Sequence, residues 1–384
     1  MITRALLQET LQTAKEFKVV CITGPRQSGK TTLCRQAFPG YRYISLEDAD
    51  MAEQAMNNTR KFLLQFKRGV ILDEVQRVPQ VFNYLQRIVD EKKVYGKYIL
   101  TGSNNFLMQN NISQSLSGRA GYIELLPFSL NELRNSKAGK RSIEQNILKG
   151  FYPPVVTGKA TPERWLPNYI KTYIERDVRM LRNVGNLALF NKFIKLCAGR
   201  AAQIININAL AIDTGVDNKT MQAWLSVLEG SYIIYFLRPH HENFNKQVIK
   251  SPKLYFYDTG LLCSLLGITS EAALKKSNHY GALFENFIVT EIRKNRLNKE
   301  QAGEMSFFRD NSGNEVDLIL EKNETLLPIE IKSSKKPDRG AIKGLQWWQK
   351  VFRQSGGALI YGGNDERSYD NQIEQLSWKS VADV

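Results

Sequence analysis

Long apolar runs are missing from this 384-residue chain. No stretch approaches the roughly 18 apolar residues that span a bilayer, so a helical membrane protein is excluded. Met1-Ile-Thr-Arg4 leads into an amphipathic segment without the apolar core of a signal peptide, and a cytoplasmic location with no membrane partner is expected. Cysteine and histidine are scarce as well. Cys21, Cys34, Cys197 and Cys263 lie far apart without a CxxC pair, and the chain has 3 histidines, which argues against a disulfide framework or a zinc site. The four thiols are expected to be buried. Acidic charge is also in short supply, with 38 Asp+Glu against 53 Lys+Arg for a formal net charge of +15. Such an excess suits an anionic partner.

What is present is ordinary in proportion: 42% hydrophobic, 10% aromatic and 24% charged residues, the composition of a globular protein rather than a disordered or collagen-like one. At roughly 100–200 residues per domain, the length argues for two or three domains. The basic excess is uneven. Residues 1–135 carry 18 basic and 12 acidic side chains (+6), residues 136–265 carry 18 and 9 (+9), and residues 266–384 carry 17 and 17 (zero).

Lys18-Val-Val-Cys-Ile-Thr23 has strand length and composition, and Gly24-Pro25-Arg26-Gln27-Ser28-Gly29-Lys30-Thr31 follows, with Thr32 opening a periodic helical segment. Strand, G-x-x-x-x-G-K-T and helix is the arrangement that cradles phosphates. Gly24 and Gly29 let backbone N–H groups curl around phosphate oxygens, Lys30 reaches the β- and γ-phosphates, and the Thr31 hydroxyl can ligate Mg²⁺. The helix N-terminus adds its dipole.

Such a loop needs an acidic element on a neighbouring strand, and Gly69-Val-Ile-Leu-Asp73-Glu74 supplies it. Asp73 would hold Mg²⁺ directly or through water, and Glu74 is placed to polarise the attacking water, because in-line hydrolysis needs an oriented nucleophile. A third strand, Lys97-Tyr-Ile-Leu-Thr101, ends in Gly102-Ser103-Asn104-Asn105. Either Ser103 or Asn104 is a candidate γ-phosphate sensor, and the segment also reads simply as a strand-ending turn.

GPRQSGKTT, VILDEVQ, LTGSN, Leu116-Ser-Gly-Arg119 and Glu124-Leu-Leu-Pro-Phe-Ser-Leu130 together resemble the AAA-type ATPase domain of a large prokaryotic family of uncharacterised ATP-binding proteins, over roughly residues 1–135. The resemblance implies an αβα sandwich with a parallel sheet, ATP and Mg²⁺ as ligands, and Arg119 as a charge-neutralising residue near the γ-phosphate, in cis or across a subunit interface. Arg119 anchoring the Ser-Gly turn is the alternative. No AAA+ lid is evident after residue 135, which argues against a closed hexameric ring.

The middle of the chain begins with a punctuated connector, Gly150-Phe-Tyr-Pro-Pro154 and Thr161-Pro-Glu-Arg-Trp165, and a helical pattern through Leu181 with Arg176, Arg179 and Arg182 on its flank. Asn208–Asp213, a turn at Gly215 and Asp217–Glu229 have the layout of a helix-turn-helix with Asp217 as N-cap. Met221, Trp224, Leu225 and Leu228 would face the core, leaving Asn218, Lys219, Gln222 and Ser226 outward. The apolar runs Tyr232–Leu237 and Leu254–Tyr257 resemble the wing of a winged-helix domain. Asn218, Lys219 and Gln222 can contact bases or phosphates, although winged helices also pack against proteins.

In the last third, a helical pattern at Gly281–Arg293 precedes strand patterns at Ser306–Arg309, Glu315–Leu320 and Leu326–Lys332. Asp317 followed by Glu330-Ile-Lys332 matches the D…E-x-K arrangement of PD-(D/E)XK nucleases, and Glu285 matches that fold's accessory acid. Two carboxylates can hold Mg²⁺ at a scissile phosphate while a lysine orients water. The region resembles the carboxy-terminal domain of unknown function that commonly follows the ATPase in the same family. A salt-bridge ladder and an inactive binding or scaffold module remain alternatives.

The expected fold class is α/β: a P-loop NTPase αβα sandwich (1–135), a helical connector (136–184), a winged-helix-like segment (185–265) and a restriction-endonuclease-like α/β domain (266–384). The expected activity is Mg²⁺-dependent ATP hydrolysis coupled to nucleic-acid engagement. Two rivals are an ATP-gated switch for protein partners and an ATP-regulated DNA nuclease, and self-association is left open.

Overall fold

Short β-branched runs separated by helices build two sheets of different character. The computed structural model describes residues 2–91, 94–103, 108, 112, 114–178, 186–240, 249–301, 303–322 and 325–384. These divide into two units, Met1–Phe128 with Gly230–Tyr232, and Ser129–Glu229 with Ile233–Val384.

The first unit contains β1 (Val19–Thr23), β2 (Arg42–Ser45), β3 (Val70–Asp73), β4 (Tyr98–Gly102) and β5 (Ala120–Glu124), all parallel in the order β2-β3-β4-β1-β5. Parallel strands need crossover connections, and the helices that provide them cover both faces. Val19 and Cys21 of β1 pack on one face with Val81, Phe82 and Leu85 of the Gln80–Glu91 helix. Val20 and Ile22 pack on the other with Leu33, Cys34 and Ala37 of the Lys30–Ala37 helix. Period-two alternation along a strand buried on both faces explains why β1 is apolar throughout. The result is the expected three-layer αβα arrangement.

The strand order corrects one expectation: the acidic strand β3 is not the neighbour of β1, because β4 lies between them. The carboxyl ends are level all the same. Thr23 is in register with Gly102 and Glu124, and Ser45 with Asp73, so the loop after β1, the acids after β3 and the polar end of β4 share one edge.

In the second unit, β6 (Gln203–Ile204), β7 (Ile234–Pro239), β8 (Lys253–Phe256), β9 (Met305–Arg309), β10 (Glu315–Lys322), β11 (Thr325–Lys332), β12 (Gly357–Tyr361), β13 (Arg367–Tyr369) and β14 (Ile373–Ser377) form, among the described residues, one sheet in the order β13-β14-β12-β11-β10-β9-β7-β8-β6. The parallel pairing of β7 with β9, Arg238 opposite Ser306, joins the middle of the chain to its last third. The boundary expected at 265/266 therefore falls inside this unit. The boundary expected at 135/136 lies near the observed division at 128/129.

Helices Ile207–Thr214 and Asn218–Gly230 are separated by Gly215, which takes φ 90° as a C-cap glycine commonly does. Asp217 accepts from the Thr220 N–H at 2.9 Å and caps the second helix. Met221, Trp224, Leu225 and Leu228 are buried, and Asn218, Lys219 and Gln222 are exposed. The long Tyr280–Asn298 helix presents Leu283, Phe284, Phe287, Ile288 and Ile292 to the interior. Leu345 and Trp348 of the Lys343–Phe352 helix pack with Phe308, Val316 and Leu359 on the sheet. All four cysteines are free and buried. Among the described residues, no helix is long and apolar enough to cross a membrane.

Candidate functional site

The loop after β1 is shaped by its glycines. Gly24 has φ 145°, and a Cβ there would meet the Leu125 carbonyl oxygen at 2.1 Å, so no other residue fits without displacing β5's exit. Gln27 and Gly29 also take positive φ, 65° and 99°, which turns successive N–H groups toward a common concavity. Arg4, absent from the sequence-level candidates, braces this loop. Its guanidinium donates to the Ser28 carbonyl at 2.8 Å and the Leu126 carbonyl at 2.7 Å. Tyr232, part of the same unit, places its hydroxyl 2.6 Å from Thr23 Oγ1. An arginine near the N-terminus and a lone tyrosine carry no local motif that could have singled them out.

Lys30 is buried, and its Nζ donates to the Gly24 and Pro25 carbonyls at 2.9 and 3.0 Å. Burial lowers the Lys30 pKa, with Glu74 and Asp73 opposing. Ser28 Oγ is buried without a hydrogen-bond partner. Pro25 is buried, Arg26 is half-buried, and Gln27 and Thr32 are exposed. Arg26 pairs with Glu47 Oε1, which Arg77 also approaches at 3.6 Å.

Asp73 closes β3 as a shared acceptor. Oδ2 takes the Thr31 hydroxyl at 2.9 Å and the Tyr43 hydroxyl at 2.5 Å, and Oδ1 takes the Thr101 hydroxyl. A hydroxyl and a carboxylate this close can share one octahedral oxygen-seeking cation, directly or through water. The donor set fits Mg²⁺, which Thr31 and Asp73 would hold. Burial first, and then the hydrogen bond to Asp73, pushes the Tyr43 hydroxyl up to about 12, so it stays a donor.

Glu74 sits in the left-handed region at φ 53°, a strained conformation for a residue with a side chain. The turn aims its carboxylate across to β4. Oε2 accepts from Ser103 Oγ at 3.0 Å, the Ser103 N–H at 3.3 Å and Gln76 Nε2 at 2.5 Å. Of the two sensor candidates, Ser103 thus meets the acid, and Asn104 lies outside the described residues.

Arg119 is placed elsewhere. Its carbonyl accepts from the Val19 N–H at 3.1 Å, at the amino edge of the sheet. With about 3.3 Å of rise per residue, the five-residue β1 separates it from the phosphate loop by about 15 Å. Its guanidinium pairs with Asp90 at 2.7 and 2.8 Å. The expectation of an in-cis charge-neutralising role is therefore corrected. Arg119→Ala should leave ATP turnover of the dilute protein within about twofold, since an exposed pair contributes little. Phosphate release across a protein dilution series checks this, and a loss that grows with concentration would assign Arg119 to a site between copies.

The second unit gathers another polar cluster. Glu285, Asp317, Glu330 and Lys332 converge from the Tyr280–Asn298 helix, β10 and β11, and a shift of register between Val316 and Ile319 re-aims the strand at Asp317. Lys332 Nζ donates to Glu330 Oε1 at 2.8 Å and lies 3.8 Å from Asp317 Oδ2, which accepts the Ile331 N–H at 2.8 Å. Three further residues belong here. Lys253 of β8 reaches Glu285 Oε1 at 3.0 Å, Glu315 Oε1 at 2.7 Å and Asp317 Oδ1 at 3.8 Å, and the Tyr255 hydroxyl donates to Glu285 Oε1 at 2.7 Å. Period two puts Lys253 with Tyr255, and Glu315 with Asp317, on common faces, a signal visible in sequence once β8 is known to join this sheet. Burial raises the pKa of both Glu285 and Glu330, with Asp317 adding to it, against the lysines. Among the described residues, no three carboxylate, imidazole or thiolate groups are arranged to hold a metal ion.

Three family models match successive parts of the chain. Residues 16–134 match the AAA domain family, residues 140–272 a domain of unknown function (DUF8612) and residues 280–381 another domain of unknown function (DUF4143). The chain is 29% identical over 340 residues to an uncharacterized protein of Mycobacterium tuberculosis, covering 85% of this chain and 74% of that one. It is 24% identical over 372 residues to an uncharacterized protein of Methanocaldococcus jannaschii, covering 86% and 80%. Among solved structures, a Walker-type ATPase of Pyrococcus abyssi is 16% identical, covering 70% of this chain and 96% of that one, with a TM-score of 0.43. The family match over residues 16–134 and the G-x-x-x-x-G-K-T loop within it give the first unit an AAA-type P-loop domain.

Proposed function

We propose that the chain is a Mg²⁺-dependent ATPase whose nucleotide cycle governs engagement of nucleic acid by its second unit. The observation that carries the first half is the pair of contacts across one sheet edge: Thr31 Oγ1 to Asp73 Oδ2 at 2.9 Å, and Ser103 Oγ to Glu74 Oε2 at 3.0 Å. The loop N–H groups and Lys30 bind the phosphates. Thr31 and Asp73 would hold the cation, which would supply charge neutralisation at the phosphates. Glu74 orients the attacking water, and Ser103 positions Glu74.

The second half is supported by charge and exposure. Residues 136–265 hold the largest basic excess, 18 against 9, and Asn218, Lys219 and Gln222 stand exposed along the first turns of a capped helix. Lysine there suits a phosphate and the amides suit base edges. The wing-like β7–β8 hairpin follows directly.

One titration tests both halves. ATP turnover in Mg²⁺ is measured with and without duplex DNA while binding is followed across salt. The expected result is turnover that responds to DNA, and affinity that falls linearly in log–log salt with a slope reduced by about 1 in Lys219→Gln. Turnover without DNA binding at low salt would favour a switch for protein partners instead.

A further inference from the structure

A nuclease of the PD-(D/E)XK type needs a divalent cation between its acids, and the cluster in the second unit tests whether one fits. Mg²⁺ demands near-octahedral oxygens at about 2.0–2.1 Å and keeps several waters, so it needs carboxylate oxygens with room between them. The oxygens here face ammonium groups, where the donors to Asp73 are neutral hydroxyls that can rotate away. Glu285 Oε1 accepts from Lys253 and Tyr255, Glu315 Oε1 from Lys253, Asp317 Oδ2 from the Ile331 N–H, and Glu330 Oε1 from Lys332. Asp317 Oδ1 faces Lys253 at 3.8 Å. Glu315 Oε2 is approached by Arg309 at 3.3 Å. Of the oxygens that remain, Glu330 Oε2 is buried with no hydrogen-bond partner.

Lys253 is the decisive side chain. It is 2% exposed, its ammonium lies among three carboxylates, and the Phe307 ring flanks it at 5.4 Å. A cation–π contact of this kind favours a cation over a neutral group. Desolvation opposes its charge, but Glu285, Asp317 and Glu315 outweigh it and keep the amine protonated. A doubly charged ion on the same oxygens would stand within about 4 Å of this ammonium, with little water to screen the repulsion.

We infer that Lys253 is the resident cation of this cluster, so that the second unit takes no divalent metal there and engages its partner without metal-dependent phosphodiester cleavage. The lysine comes from β8, outside the residues that carry the D…E-x-K pattern, and it enters because β7 and β8 extend the same sheet. The inference rests on the nuclease-like reading of Glu285, Asp317, Glu330 and Lys332, and it turns that likeness into a binding module.

Mn²⁺ uptake without nucleotide, read by electron paramagnetic resonance, tests it in the full chain. Wild type and Asp317→Asn are expected to give the same isotherm, and neither nicks plasmid in Mg²⁺ or Mn²⁺. Lys253→Gln removes the charge and leaves three carboxylates without their shared cation, so it should gain one Mn²⁺ per chain at least about tenfold tighter than any wild-type binding, lost again in Lys253→Gln/Asp317→Asn. The same variant should melt lower in EDTA and recover in Mn²⁺. Wild-type uptake or nicking that depends on Asp317 overturns the inference while leaving the nuclease-like reading standing, and this comparison needs no Lys253 variant. Absence of uptake by both wild type and folded Lys253→Gln removes the nuclease-like reading, and the inference with it.

Discussion

Glu74→Gln is expected to retain ATP binding and lose turnover by about 10²–10⁴-fold, the usual contribution of a positioned general base. The Glu74 carboxylate accepts from Gln76 and Ser103, on the β3–β4 side of the site. The amide is nearly isosteric, so its oxygen can still accept from Ser103 and the backbone keeps its left-handed φ of 53°. What disappears is the negative charge that polarises water. Binding of a fluorescent ATP analogue together with single-turnover phosphate release separates the two effects. Turnover at the wild-type rate would remove Glu74 from the chemistry and leave it a turn residue.

The second large effect belongs to Lys30. Lys30→Ala should weaken ATP binding by at least about 30-fold, the lower range for deleting one partner of a buried charge pair. The ammonium is buried between Gly24 O and Pro25 O, where an incoming phosphate would compete with two neutral carbonyls for a full positive charge. Glu74 and Asp73 beside it counter the desolvation. Calorimetric titration of ATP reads the affinity, and the melting temperature with and without ATP shows whether the fold survives. A stable variant whose melting temperature still rises in ATP to the wild-type extent would contradict the assignment, since that rise is set by free ligand over Kd.

The P-loop was legible because its chemistry is local. Gly24, Gly29, Lys30 and Thr31 act through backbone turns and side-chain reach within eight consecutive positions, and a strand before and a helix after complete the context. Asp73 and Glu74 were legible for a related reason, as the polar end of an apolar strand. In the last third, Asp317, Glu330 and Lys332 followed from period two along β10 and β11.

Arg119 shows where such reasoning stops. A motif-like Ser-Gly-Arg next to a strand says nothing about which end of the sheet it occupies, and the parallel pairing of β5 with β1 sends it to the amino edge, onto Asp90. The order β3-β4-β1 likewise depends on crossovers whose paths no local pattern encodes. Arg4 and Tyr43 reach the site through packing alone.

A phosphate-binding loop with its acids, a basic middle segment and a neutral end bearing a D…E-x-K pattern can each be read from contiguous residues and their charge. What surrounds the last pattern depends on which strands pair. Lys253 stands 62 residues before Glu315 opens β10 and shares no motif with it, yet sheet pairing brings its ammonium to Glu315 and Asp317 on that strand. Strand order sets which charges meet, and an acidic cluster with a built-in ammonium is a different chemical object from one without it.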